Sequence, residues 1–149
     1  MTTDRRIVIA GSPRAGKTTL GTEIAKAMGV LLLSTDSLVG KLDWSAASLE
    51  VSTWMDRPGP WCIEGVCAGR ALRKALAAHP DVAPCDEVVY LVHPWVQLTN
   101  GQAAMAKGCR TVFDEIRPAL DARGVLITIG RAEEATPCNE PETGDDCDD

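Results

Sequence analysis

The residues best suited to chemistry lie in one short segment near the start of the chain. Gly11-Ser-Pro-Arg-Ala-Gly16-Lys17-Thr18 matches the pattern G-x-x-x-x-G-K-[ST] at every fixed position. Glycine tolerates backbone angles that other residues resist, so successive amide N–H groups can turn inward around a phosphate. Lysine adds a positive charge for the outer phosphates of a nucleoside triphosphate, and threonine offers a hydroxyl to Mg²⁺. The segment is therefore predicted to bind phosphate.

The residue types in this loop predict two ligands, a nucleoside triphosphate and Mg²⁺. ATP with Mg²⁺ is the expected pair, although the motif does not distinguish ATP from GTP. Lys17 is the expected catalytic cation, and Thr18 is the expected metal ligand. The predicted nucleotide contacts are those of the loop and the residue after it, namely Gly11, Ser12, Arg14, Ala15, Gly16, Lys17, Thr18 and Thr19.

Short apolar runs alternate with longer helix-like stretches along the rest of the chain. The runs are 6–10, 30–34, 61–64, 87–92 and 124–129, and the helix-like stretches are 17–28, 46–55, 69–78 and 102–122. Apolar runs without polar alternation are typical of a parallel sheet that is covered on both faces. We therefore predict an α/β fold, a three-layer sandwich with a five-stranded parallel sheet of the P-loop type. The phosphate-binding loop falls between the first strand and the first helix, as its mechanism requires.

Charge and length divide the chain into a body and a tail. The 149 residues suit one domain, predicted at 1–132, followed by an acidic tail at 133–149 that we expect to be solvated and disordered. The net charge of −6 comes from that tail, because six acidic residues and no Lys or Arg follow Cys138. Residues 1–138 are then formally neutral, with 15 basic and 15 acidic residues, and this balance does not favour broad nonspecific DNA binding. We expect a cytoplasmic protein, since no signal peptide or membrane-length apolar run is present.

The loop and the order of elements together resemble the P-loop kinases related to adenylate, shikimate and gluconate kinases. In those kinases the second strand ends in an acidic residue that meets the acceptor hydroxyl or the magnesium shell. Asp36 has that position here, which implies that it orients the acceptor and takes its proton. The alternative is that Asp36 only caps the helix that follows. The third strand ends at Glu64, and the resemblance implies a role in holding Mg²⁺ or substrate.

The resemblance also implies where the acceptor and the nucleotide base lie. Between the second and third strands the acceptor region contains Trp44, expected to stack on a flat ring or to be plain packing, and Arg57, expected to hold an anionic group. Arg70 opens the next helix and is a further anion ligand. Arg110 is the expected lid cation, in a segment with fewer arginines than the lids of nucleoside monophosphate kinases. Arg131 matches the loop that contacts adenine.

These residues imply a kinase that moves the γ-phosphate of ATP to a hydroxyl of a nucleoside- or nucleotide-like acceptor. Compact bacteriophage kinases that phosphorylate 5-hydroxymethyluracil within DNA look similar, so DNA is one acceptor to consider. The other readings are a small-metabolite kinase of the shikimate or gluconate type, a P-loop ATPase that acts through partners, and a nucleotide-binding scaffold without turnover. The sequence leaves the acceptor and the oligomeric state open.

Overall fold

The computed structural model describes residues 5–38 and 40–130 of the chain. The acidic segment 133–149, the domain boundary at 132 and Arg131 lie outside the described residues, so these remain predictions. Within the described part the apolar runs form five strands and the helix-like stretches form four helices. The strands are Arg6–Gly11 (β1), Leu32–Ser34 (β2), Trp61–Glu64 (β3), Glu87–Leu91 (β4) and Leu126–Gly130 (β5), and the helices are Lys17–Met28 (α1), Trp44–Trp54 (α2), Ala68–Ala78 (α3) and Asn100–Ala122 (α4).

All strand pairs in the sheet are parallel, and the strand order is β2-β3-β1-β4-β5. The predicted α/β class and the five-stranded parallel sheet are thus confirmed. β1 lies at the centre, where it pairs with β3 on one side and β4 on the other. Because all strands point the same way, their carboxyl ends form a single edge, and ligands of open α/β sheets bind at that edge.

Helices cover both faces of the sheet and complete the three layers. On one face, α1 packs over Ile7 and Ile9 of β1. On the other face, α3 and α4 pack over Val8 of β1 and Val88 of β4, and α2 packs against α3. Successive β1 side chains therefore enter opposite cores, which explains why the strand is apolar at consecutive positions.

Local signals set the helix ends. Gly29 (φ 75°) and Gly124 (φ 82°) take the left-handed conformation just after α1 and α4, which is a common way for a helix to end. The helix α4 starts two residues earlier than predicted, because Thr99 and Gln102 form a capping box. Among the described residues no helix has the length and apolar character needed to cross a bilayer.

Candidate active site

The loop that follows β1 is held close to the backbone of β4. The amide N–H of Ser12 donates to the carbonyl of Leu91 at 3.0 Å. A Cβ atom added at Gly11 would lie 2.2 Å from that same carbonyl oxygen, and Gly11 has a φ of +137°. Gly16 also has a positive φ, of 91°, and immediately precedes α1. Both glycines are therefore required by geometry, and the loop brings its amides to the positive end of α1.

Lys17 is buried inside the curve of this loop. Its Nζ donates to the carbonyl oxygen of Ser12 at 2.6 Å. Burial lowers the pKa of Lys17, and the nearby Glu64 carboxylate opposes that shift. A buried ammonium group attracts an anion strongly, because little water screens its charge.

Glu64 ends β3 directly beside the loop, and its side chain is only 1% exposed. One carboxylate oxygen, Oε2, accepts hydrogen bonds from Ser34 Oγ at 2.6 Å and from Thr18 Oγ1 at 3.1 Å. Burial raises the pKa of Glu64, while the hydrogen bond from Ser34 opposes the shift. The structure thus brings Thr18 and Glu64, the two predicted metal ligands, into direct contact.

Ser34 was missed in the sequence analysis. Its hydroxyl donates to Glu64 and accepts from the backbone N–H of Asp36 at 3.3 Å, so one oxygen links both acidic residues. The register of β2 and β3 places Ser34 opposite Glu64. No local pattern indicated this role, because the pairing of two strands separated by a helix is not visible in either strand alone.

Asp36 lies in a 3-10 turn, Thr35–Ser37, just beyond the end of β2. It is exposed to the cavity beside the loop and lines it together with Lys17 and Glu64. The alternative that Asp36 only caps the following helix is wrong, since Asp43 caps α2 by accepting from the N–H of Ala46 at 2.7 Å. Its placement is therefore suited to contact with an acceptor.

A cavity of about 470 Å³ opens at the carboxyl edge of the sheet between the loop and these acidic residues. Its walls include Lys17, which was predicted as the catalytic cation, Thr18, which was predicted as a metal ligand, and one aromatic ring that sequence reasoning missed, Trp95. The lining residues are Pro13, Arg14, Gly16, Lys17, Thr18, Thr19, Asp36, Glu64, Val66 and Trp95. Trp95 also donates its backbone N–H to the carbonyl of Arg14 at 2.7 Å. The loop after β4 therefore supports the phosphate-binding loop.

Trp44 and Arg70 meet at a second cavity, of about 210 Å³, between α2 and α3. The guanidinium carbon of Arg70 lies 5.5 Å from the centre of the Trp44 ring, a cation–π contact. Arg73 and Lys74 line the same cavity. The structure thus groups two of the predicted acceptor residues and adds two cations to them.

Two predicted site residues lie elsewhere. Arg57 is near the amino end of β3, since its carbonyl accepts from Trp61 Nε1 at 2.9 Å, so it faces away from the carboxyl edge. Arg110 lies on the exposed face of α4 and pairs with Asp114 at 3.0 Å. The structure does not bring either arginine together with Lys17. Arg57 lies away from the cavity because the chain has returned to the amino edge of the sheet by that residue. Arg110 lies away from it because helix periodicity places this residue on the outer face of α4.

The residues present are suited to a magnesium ion. Residues 5–38 and 40–130 contain no group of three or more His, Cys, Asp or Glu side chains that could hold a metal. Magnesium commonly takes only one or two carboxylates, with the remaining ligands supplied by water and substrate phosphates. Thr18 Oγ1 and the Glu64 carboxylate, 3.1 Å apart, are the oxygens that would hold it directly or through water.

Replacing Ser34 with alanine should move the acid side of the pH–activity profile to higher pH. The Ser34 hydroxyl holds the pKa of Glu64 below the value that burial alone would give. Without it the carboxylate binds its proton more tightly, and the ionised form needed to attract Mg²⁺ is lost at a higher pH. The measurement is the pH at which kcat/KM falls to half. Ser37→Ala is the matched control, because Ser37 donates to the Ser34 carbonyl and not to Glu64. Equal profiles for the two variants would contradict the prediction.

Comparisons with known proteins add a likeness in fold. No protein-family model matches the chain, and no curated protein matches it. Nineteen chains of solved structures match. One is a shikimate kinase from Acinetobacter baumannii in complex with shikimate, which is 17% identical over 86% of this chain and 84% of that chain, with a TM-score of 0.49. The α/β fold is shown by the strand pairing of the chain itself, and its activity has to be argued from its own residues.

Proposed function

We propose that this protein is a kinase that transfers the γ-phosphoryl group of ATP to a hydroxyl group of a second substrate. One observation carries the proposal: Lys17, Thr18, Asp36 and Glu64 line a single cavity, although they come from three separate parts of the chain. A phosphate-binding loop alone would support nucleotide binding. An exposed carboxylate facing that loop across an open cavity adds a group that can act on an acceptor.

On the nucleotide side, the loop amides and the amino end of α1 favour the binding of phosphates. Lys17 leaves its bond to the Ser12 carbonyl and donates to the outer phosphates, where its charge remains weakly screened because the side chain is buried. Mg²⁺, when bound with the nucleotide, neutralises charge on the phosphate oxygens. Thr18 and Glu64 position that ion.

On the acceptor side, Asp36 accepts a hydrogen bond from the acceptor hydroxyl and thereby points its oxygen at the γ-phosphorus. In the reaction the acceptor O–P bond forms and the bond from phosphorus to the β–γ bridging oxygen breaks. The hydroxyl proton passes to the Asp36 carboxylate and then to water, and ADP leaves. Asp36 can serve in this way because Ser34 fixes the backbone N–H of the turn that carries it.

The cavity between α2 and α3 favours an acceptor with a flat ring and an anionic group. Trp44 is 40% exposed and lines this cavity, so its aromatic surface is available to a flat ring. Arg70, Arg73 and Lys74 line this cavity with it, and Arg73 is also paired with Glu115 at 3.1 Å. A nucleoside monophosphate offers both features, and so does a 5-hydroxymethylated base in DNA, which is the narrower form of this proposal.

The test is transfer of labelled γ-phosphate from ATP, with Mg²⁺, to a panel of acceptors. The panel contains nucleosides, nucleoside monophosphates, shikimate, small polyols, and DNA with or without 5-hydroxymethyluracil. We expect label on one class of acceptor, and at least a 100-fold loss in Lys17→Ala and in Asp36→Asn. Asp43→Asn is the matched control, because asparagine also caps helices and Asp43 contacts α2.

The outcomes of this transfer assay distinguish the candidate functions. Label on a polyol or shikimate would identify a small-metabolite kinase. Release of inorganic phosphate alone, at the same rate in Asp36→Asn, would overturn the kinase proposal and favour a partner-dependent ATPase. Binding of ATP without transfer or hydrolysis would favour a scaffold.

A further inference from the structure

Arg14 has the most unusual backbone conformation in the described part of the chain. It is the only non-glycine residue among residues 5–38 and 40–130 with a positive φ, 61°. Side chains with a Cβ atom avoid this left-handed region for steric reasons, and glycine does not. Glycine at position 14 would therefore adopt this backbone conformation at a lower cost in conformational free energy. The arginine side chain has to supply something that offsets the strain.

The surroundings of Arg14 hold this residue firmly at the cavity. The Trp95 N–H donates to its carbonyl at 2.7 Å, which fixes the orientation of the peptide unit. The side chain of Arg14 is half-buried and lines the same cavity as Lys17 and Thr18. The strained conformation therefore places a guanidinium group in the phosphate-binding loop itself.

Charge in the cavity favours a role for this guanidinium in the reaction. Arg14 and Lys17 are the two cationic side chains among the described residues that line it, and they face Asp36 and Glu64. Arg110, which the sequence suggested as the lid cation, lies on the exposed face of α4 and not among the residues that line this cavity. Arg70 lines the neighbouring cavity.

We propose that Arg14 supplies, from within the phosphate-binding loop, the cation that stabilises the phosphoryl group during its transfer. This inference rests on the proposed kinase function. As the bond to the bridging oxygen breaks and the bond to the acceptor oxygen forms, negative charge is spread over the three oxygens of the transferring group. A planar guanidinium donates two parallel hydrogen bonds to such oxygens, which an ammonium group cannot do.

Arg14→Gly tests the inference, because the variant removes the cation and the strain together. We expect its Tm without nucleotide to equal or exceed that of the wild-type protein, since glycine tolerates the left-handed backbone. We expect kcat to fall about 100-fold or more, with little change in the KM for ATP. Arg14→Lys should recover only part of kcat, because it restores the charge without the paired donors.

A binding measurement provides a readout independent of turnover. Calorimetry compares Kd for ADP with Mg²⁺ alone and with aluminium fluoride added, a mimic of the transferring group. Arg14→Gly should weaken binding of the fluoride complex at least 10-fold and leave ADP binding nearly unchanged. Equal weakening of both ligands, or unchanged affinity for both, would overturn the inference.

The results distinguish failure of this inference from failure of the kinase proposal. If the wild-type protein transfers phosphate and Arg14→Gly does so equally well, the inference is wrong and the kinase function stands. If Arg110→Ala loses kcat and Arg14→Gly does not, the cation comes from α4. If the wild-type protein transfers phosphate to no acceptor and the fluoride complex binds no tighter than ADP, both proposals fail.

Discussion

Gly65→Ala is expected to abolish phosphate transfer and to destabilise the protein by about 3 kcal/mol or more, as overpacking and backbone strain add. A Cβ atom at Gly65 would lie 1.8 Å from Thr35 Oγ1, and Gly65 has a φ of +143°. Thr35 is fully buried and cannot move into solvent. It lies between Ser34 and Asp36, so its displacement would shift the hydroxyl that contacts Glu64 and the carboxylate that we propose contacts the acceptor.

The measurement combines denaturant unfolding with the transfer assay. Gly69→Ala is the matched control, because it makes the same chemical change four residues later. At Gly69 the nearest contact of an added Cβ would be Val112 Cγ1 at 3.8 Å, an ordinary distance. Gly69 is the second residue of α3, where the preference of a helix for alanine over glycine is weaker than in its interior, so this change should alter stability by less than about 1 kcal/mol. If Gly65→Ala were as stable and as active as the control, the close packing of Thr35 on Gly65 would be refuted.

Glu64→Gln should change activity and stability in opposite directions. The shape of the side chain is kept, but the charge that attracts Mg²⁺ is lost, so we expect kcat/KM at limiting Mg²⁺ to fall about 100-fold. Folding of the wild-type protein buries a carboxylate whose pKa is raised by that burial. The wild-type protein therefore loses stability as pH rises from the ordinary glutamate pKa through the raised value, and glutamine does not. The variant should have a higher Tm at neutral pH, with a smaller gain near pH 4.

Two measurements check this prediction: activity as a function of Mg²⁺ concentration, and thermal unfolding at several pH values. Glu50→Gln is the control, since Glu50 lies on the exposed face of α2 and accepts only a 3.3 Å hydrogen bond from Trp54 Nε1. Wild-type activity in Glu64→Gln at every Mg²⁺ concentration would show that Glu64 is not a metal ligand. A lower Tm at neutral pH would show that its hydrogen bonds outweigh the cost of burying its charge.

The fold was predictable because its signals are local. The apolar runs and the glycines after α1 and α4 each depend on a few neighbouring residues. The contact of Thr18 with Glu64 was predictable in outline, because both residues follow buried strands that point the same way. The bond between Ser34 and Glu64 was not, since it depends on β2 pairing with β3 while β1 lies on the other side of β3.

Arg57 and Arg110 were predicted at the site and lie elsewhere, for two different reasons. Arg57 follows α2, which runs back from the carboxyl edge of the sheet to the amino edge. To predict that reversal, the packing of α2 would have to be known. For Arg110 a signal was present. Cys109, Val112, Phe113 and Ile116 recur at helical spacing and are buried, which places Arg110 on the outer side of α4.

The strand order has a consequence for how the protein is made. Among the strands that the structure describes, β1 leaves the ribosome before the others, yet both of its neighbours, β3 and β4, are synthesised much later. At about 5–20 residues per second, the chain needs roughly 3–10 s after β1 before β3 begins to emerge. During that interval the apolar run from Ile7 to Ala10 has no strand to pair with. We therefore expect chaperones that bind short apolar segments to bind nascent chains of this protein.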